Sequence, residues 1–304
     1  MRRFVVVLLL GLLTASPAFA QQSLFAALQG KVTDESGAGI PGATVMVTHQ
    51  ESGIFRQVVS TDDGSYYITG IVPGPYRVSA ELQGFRKFEQ RDVQFTIGNA
   101  VVMDIKLAVG AVEENVTVTG QSPLVDTSSQ TIGANIGAAE LNALPILNKN
   151  WMFAVSLTPG VQIQSSTASF ACESLIVGGG SNRSGNFSVD GGGNNDDYLG
   201  SSCGSQVRPA LESVQEFQVL TNQYDAEFGR TAGAIVNAIT KQGTNVFHGA
   251  FFGSWTGDSV TAEDYFVRTN NLQKPETSQT DWGGTIGGPV VKDKAHFFYS
   301  LDRL

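Results

Sequence analysis

Apolar and polar residues alternate along most of this chain, and the alternation is broken at short intervals by glycine. "ATVMVTH" (Ala43 to His49) places Val45 and Val47 on one face of a strand. "RQVVS", "SYYITGI", "PYRVSAEL" and "NAVVMDIKLA" repeat the pattern with Val58, Ile68, Tyr76, Val78, Val101 and Ile105 at inward positions. Between these runs stand Gly37, Gly39, Pro41 and Gly42, then Asp62-Asp63-Gly64, with further breaks at Gly84 and Gly98. Short strands at regular spacing with glycine turns predict a small antiparallel β-sandwich over residues 29–108. A segment of that length buries a modest core and is expected to fold without the rest of the chain.

The pattern changes after a short linker, 109–121. "AAELNALPILNKNWMFAVSLTPGV" contains two short helical patches separated by Pro145 and stopped at Pro159-Gly160. Glycine-rich strands and loops follow. "ESVQEFQVLTNQYDAEFGRTAGAIVNAITKQGT" reads as a strand, a helical turn at 224–228 and a second strand, closing a unit at 122–243. From 244 to 304 the alternation becomes longer. In "NVFHGAFFGSW", Val246, His248, Ala250, Phe252 and Ser254 share one face, and Phe247, Gly249, Phe251, Gly253 and Trp255 the other. "DWGGTIGGPVVKDKAHFFYSLD" reads as two more strands joined around Asp293-Lys294, with aromatics at strand ends as in a membrane-interface girdle.

The first twenty residues combine Arg2 and Arg3, an apolar run from Phe4 to Leu13 and the small-residue site "AFA". The run is about half the ~20 residues of a spanning helix, so the pattern is that of a cleaved export signal. Its removal takes away two arginines and no acid, moving the formal charge from −9 to −11. An acidic chain with 15% charged residues has no basic stripe to displace phosphate counterions, which excludes nucleic acid as a partner. Export also bears on Cys172 and Cys203, the only two cysteines, which are expected to form a disulfide across a glycine- and asparagine-rich loop.

Candidate chemistry is sparse. "GSSCG" (Gly200 to Gly204) fits a nucleophile elbow, but it lies between loop-like sequences instead of a strand and a helix, and reads as a structural turn. "VDGGGNNDDY" gathers oxygen donors at Asp190, Asn194, Asn195, Asp196 and Asp197 without the order of a calcium loop, and reads as a solvated, turn-rich loop. "VGGGSNRSG" lacks the lysine of a phosphate-binding loop, and His49, His248 and His296 are too scattered for a zinc pair. No catalytic constellation, metal site or cofactor is expected, and the chain is not read as an enzyme. The stretch "VEENVTVTG" (Val112 to Gly120) is strand-ready without an obvious partner strand; alternation alone does not distinguish it from an ordinary last strand of the sandwich.

Three resemblances organise these segments. "GKVTDESGAGIPGATV" followed by "TDDGSYYITGIVPGPYRV" resembles a carboxypeptidase-regulatory-like domain, which implies a seven-stranded, transthyretin-like or immunoglobulin-like sandwich without catalysis of its own. "LNALPILNKNWMFAVSLTPGV", "NFSVDGGGNND" and "EFGRTAGAIVNAITKQGTNVFHG" resemble the plug domain of TonB-dependent outer-membrane receptors. Residues 244–304 are similar to the first strands of that family's barrel. The implied architecture is mainly β: a sandwich in the periplasm, an α+β plug, and the start of a transmembrane barrel in the outer membrane. Barrels of this kind have about twenty-two strands, so the chain is expected to be the N-terminal part of a longer receptor.

The resemblance implies partners as well. The family's TonB box, an acidic residue followed by alternating Val and Thr before the plug, maps onto Glu114, Asn115, Val116, Thr117 and Val118, with Asn115 in place of the more usual apolar residue. TonB, with its inner-membrane energising complex, would capture this peptide, which is expected to be flexible at rest. Asn194, Asn195, Asp196 and Asp197 would lie on a plug loop facing the ligand, a siderophore, oligosaccharide or peptide. The alternative reading is a secreted β-sandwich adhesion or carbohydrate-binding protein; the barrel-like "HGAFFGSW" and "AHFFYSLD" weigh against it.

Overall fold

The computed structural model describes residues 24–110, 116–118, 132–143, 151–165, 173–181, 184–196, 200–205, 209–224, 228–229, 231, 233–257, 260–263, 265–270, 273–274 and 278–303, and the architecture is that of these residues. The export signal, Glu114, Asn115, Cys172, Asp197 and most of the helical turn expected at 224–228 lie outside them.

The first unit comprises β1 (Ala26–Thr33), β2 (Thr44–His49), β3 (Phe55–Val59), β4 (Ser65–Ile71), β5 (Gly74–Glu81), β6 (Phe88–Phe95), β7 (Ala100–Val102), β8 (Ile105–Lys106) and β9 (Val116–Val118). They form two facing sheets, one in the order β4-β1-β7 with β8 also on β1, the other β3-β2-β5-β6-β9. Alternation does what it predicts: Val45, Val47, Ile68, Tyr76, Val78 and Ile105 are buried between the sheets, with Val58 and Val101 packed against them. Burial of such apolar area, at roughly 25 cal/mol per Å², is what holds two sheets together. The turn at Asp62-Asp63-Gly64 is set by local bonds. The Asp63 carboxylate accepts from the Thr61 and Ser65 hydroxyls at 2.7 and 2.8 Å, and Gly64 takes φ +82°.

The sandwich departs from the expected all-antiparallel pattern. Residues 96–99 carry the chain from β6 in one sheet to β7 in the other, so β7 and β8 arrive parallel to β1. Where β7 gives way to β8, the Met103 carbonyl lies against Gly30 of β1, leaving no room there for a Cβ. That carbonyl also accepts from the buried Tyr66 hydroxyl at 2.6 Å.

The middle unit contains β10 (Ile132–Gly137), α1 (Ala138–Ala143), α2 (Trp151–Val155), β11 (Val161–Ser165), β12 (Glu173–Val177), β13 (Asn186–Val189), β14 (Gly192–Gly193), β15 (Asn195–Asp196), β16 (Gly200–Ser205), β17 (Val214–Asn222) and β18 (Ile235–Thr240). Its main sheet runs β10-β17-β18-β13-β14, with β13 parallel to β18. One face of that sheet carries Ile136, Phe187, Phe217, Val219, Val236 and Ala238 into an apolar core shared with Leu141 of α1 and Met152, Ala154 and Val155 of α2.

Soon after β18, the chain enters a three-stranded antiparallel sheet. It is made of β19 (His248–Gly257), β20 (Ser278–Val291) and β21 (Ala295–Arg303), with the short α3 (Tyr265–Thr269) between the first two strands. The strands have 10, 14 and 9 residues, enough to cross a bilayer at a ~45° tilt. Phe251, Trp255, Trp282, Ile286, Tyr299 and Leu301 are exposed on one face. The cross-strand register puts His248, Ser254, Asp281, Thr285, His296 and Ser300 on the other. The glycines of β20 make space for neighbouring rings: a Cβ at Gly283 would meet Phe252, and one at Gly288 would meet Phe247.

Candidate functional site

The strand-ready peptide is not alone. Val116–Val118 lies parallel along the edge of β6, with Phe88 opposite Val116, Glu89 opposite Thr117 and Gln90 opposite Val118. This corrects the expectation of a flexible peptide for these three residues and agrees with the alternative of a last sandwich strand. The cause is the path of the chain leaving β8. Arg86 N–H donates to Ala108 at 2.8 Å, Gly110 N–H donates to Gly84 at 3.2 Å, and a bridge joins Phe85 to Val109. The segment therefore leaves the sandwich beside β6, and the backbone groups of a sheet edge are a template for a further strand.

The loop expected to face a ligand is partly turned inward. Asn194 is buried. Asn195 accepts from Phe187 N–H at 2.9 Å and donates to the Asn186 side chain at 3.1 Å, and so ties β15 to β13. Asp196 is the second residue of β15, and Asp197 lies outside the described residues. Asp190, with φ +48°, anchors the end of β18 by accepting from Thr240 N–H at 2.9 Å and from its hydroxyl at 2.8 Å. "GSSCG" is not a turn: Gly200–Ser205 forms β16, antiparallel to β15. The Cys172–Cys203 pairing lies outside the described residues, because Cys172 does.

The most developed polar site is one that the sequence does not announce. On the face of the middle sheet opposite its apolar core, Asn135 of β10, Gln218 of β17, Asn237 of β18 and Ser188 of β13 stand in a row, each opposite the next. The Ser188 hydroxyl donates to Asn237 Oδ1 at 2.6 Å, and Asn237 Nδ2 donates to Gln218 Oε1 at 3.0 Å. Gln218 Nε2 then donates at 2.8 Å to the Ile97 carbonyl of the sandwich, which also accepts from Asn135 Nδ2 at 3.2 Å. Ile97 N–H donates to both carboxyl oxygens of Glu216, at 3.3 and 3.4 Å.

One sandwich residue thus has both backbone groups satisfied by side chains of the middle unit. Its own side chain packs with Leu24 and Ile239. Gly98, at φ +68°, leaves Gln218 the space it needs. Buried polar groups are tolerated when bonded in this way, and such a row fixes one docking geometry. Glu216 is 5% exposed. Burial pushes its carboxyl up to about 7, with a smaller push from the Glu140 charge; the bonds from Ile97 and Asn135 act in the opposite direction.

A second junction joins the sandwich to the three-stranded sheet. Asn245 N–H donates to the Glu51 carbonyl at 2.9 Å, and the Asn245 amide exchanges bonds with the Asp293 side chain and backbone at 2.7 and 2.9 Å. The His296 ring lies 2.9 Å from Asn245 Oδ1. Among the described residues, no cluster of side chains has the composition to hold a metal ion.

Comparison with known proteins accounts for the first and last of these units. Residues 27–108 match the carboxypeptidase regulatory-like domain, and residues 239–304 match the outer membrane beta barrel domain. One chain therefore carries a regulatory-like sandwich and a segment of an outer membrane beta barrel domain, which places it at the outer membrane. Across 312 aligned residues it is 29% identical to the TonB-dependent transporter Oar of Myxococcus xanthus, covering 98% of this chain and 28% of the relative, so it spans less than a third of that protein's length. Among solved structures, the siderophore receptor PirA of Acinetobacter baumannii aligns with 58% of this chain and 25% of its own, at 22% identity and a TM-score of 0.44. The outer membrane transporter YddB of Escherichia coli aligns with 56% and 26%, at 15% identity and a TM-score of 0.43.

Proposed function

We propose that this chain forms the N-terminal part of a TonB-dependent outer-membrane transporter, in which residues 122–243 are the plug that gates the barrel. The observation that carries the reading is the similarity, along 98% of this chain, to a TonB-dependent transporter. The layout supports it: an α+β unit runs within a few residues into strands with one exposed apolar face and one face that mixes polar residues with Phe252 and Phe298. Cargo too large for a porin, of the siderophore, oligosaccharide or peptide class, would be bound from outside and admitted when the plug is displaced.

The partner site is assigned to Glu114, Asn115, Val116, Thr117 and Val118. An extended peptide is captured by adding it to a partner's sheet edge, where backbone bonds supply affinity and alternating side chains set register. Val116–Val118 is already extended on β6, so capture by TonB exchanges one sheet edge for another. Three residue pairs are a small interaction to exchange.

The test is binding of the purified periplasmic domain of TonB to the full-length receptor. Val116→Ala should weaken binding severalfold, because most contacts are backbone. Val116→Pro, which removes a donor and restricts the chain, should abolish it. Equal affinity of Val116→Pro and wild type would remove this peptide as the partner site.

A further inference from the structure

The contact between the sandwich and the middle sheet has a feature that neither domain match nor the transport reading assigns. Its buried acid, Glu216, is bonded to a backbone N–H and, among the described residues, faces no cation. The elements around it are β10, which offers Asn135, and α1, which offers the second acid Glu140. β18 places Ile239 opposite it, and the turn 96–99 contains no titratable residue. The bonds at 3.3 and 3.4 Å from Ile97 N–H are long for a charge-assisted pair, and Ile97, Leu24 and Ile239 shield the site from water.

We infer that the turn 96–99 is a proton-dependent latch: neutral Glu216 holds the sandwich docked on the middle sheet, and its ionisation releases the turn. A neutral carboxyl still accepts from Ile97 N–H and is cheap to bury. An ionised one, with Glu140 nearby and no cation facing it, is better hydrated, and undocking supplies that water. The apolar contact and the bonds from Gln218 and Asn135 remain as the part of the latch that does not titrate. The latch depends on this junction alone and stands whether or not the peptide at 112–120 binds TonB.

The linkage has a definite direction. Docking raises the Glu216 carboxyl from its ordinary value of 4.5 to about 7, so docking takes up a proton. The protonated contribution is fully present below about 4.5, is lost as pH rises towards 7, and is gone above it. In that window the docking equilibrium falls by about tenfold per pH unit, the slope for one proton.

The experiment is hydrogen exchange of the Ile97 amide, the latch's own donor, in the full protein folded in detergent. Protection is corrected for the intrinsic exchange rate at each pH from about 5 to 8, the range that brackets the upper end of the window. Wild type should lose protection by about tenfold per unit up to about pH 7 and then level off. Glu216→Gln, permanently neutral and of the same shape, should keep high protection with no pH dependence. Gln218→Ala should lower protection at every pH yet keep the wild-type slope, and Glu140→Gln should move the levelling-off to lower pH. A flat wild-type profile overturns the latch. So does a Glu216→Gln profile that falls like the wild type, or a Glu140→Gln profile that does not move.

Discussion

Gly30 of β1 lies against the point where the chain passes from β7 to β8, and the Met103 carbonyl there occupies the space a side chain would need. Gly30→Ala should therefore destabilise the sandwich by about 1–3 kcal/mol, the usual cost of overpacking, read by urea unfolding of residues 24–110. Tyr66→Phe removes the hydroxyl bonded to the same carbonyl and should cost about 1 kcal/mol. Asp63 gives the pH dependence at the acid end. Its carboxyl is held well below the ordinary 3.8, chiefly by the Thr61 and Ser65 hydroxyls. That contribution is present above 3.8 and is lost as pH falls below it, so the melting difference between wild type and Asp63→Asn should shrink from about pH 5 to about pH 2. The role of Glu216 and Gln218 was hidden for a plain reason. In "EFQVL" they alternate with Phe217 and Val219, which is how a strand with one face in water reads. The water is replaced here by a turn more than a hundred residues earlier, which no local pattern encodes.

Strands whose side chains alternate between two environments were legible, to within a few residues at their ends. The sandwich strands, the reversal at Asp62-Asp63-Gly64 and the three long C-terminal strands with their turn near Asp293 all follow from period two and glycine placement. Pairings made by short segments were not legible, because three residues carry too little pattern to name a partner. The parallel contact of β9 with β6 is decided by where the chain leaves β8, and β16 formed where the sequence read as a turn. The face assignment of the long strands is testable. Phe251→Arg, on the exposed apolar face, should cost about 2–4 kcal/mol of folding stability in lipid vesicles. Ser254→Arg, on the opposite face, should cost much less; equal costs would mean the sheet does not present one face to lipid. Separated pieces should also behave differently. Residues 24–110 should be soluble and folded, whereas 244–303 alone should aggregate through unpaired edges and exposed aromatics.

Among the described residues, backbone-centred contacts tie three units together. Ile97 joins the sandwich to the middle sheet, Asn245 joins it to the C-terminal strands, and β9 returns to β6 on the way between units. Among the described residues, force on Val116–Val118 would strip three residue pairs from the edge of β6 before it reached the sandwich core. The proposed partner-driven role requires such a separation between what is pulled and what stays folded. The decisive measurement is made in cells carrying the full-length receptor with Val116→Pro, comparing ligand bound at the surface with ligand accumulated inside. Normal surface binding with loss of energised accumulation is the predicted result. Accumulation at the wild-type rate would contradict a partner-driven role for the peptide and would leave Val116–Val118 as the last strand of the sandwich and nothing more.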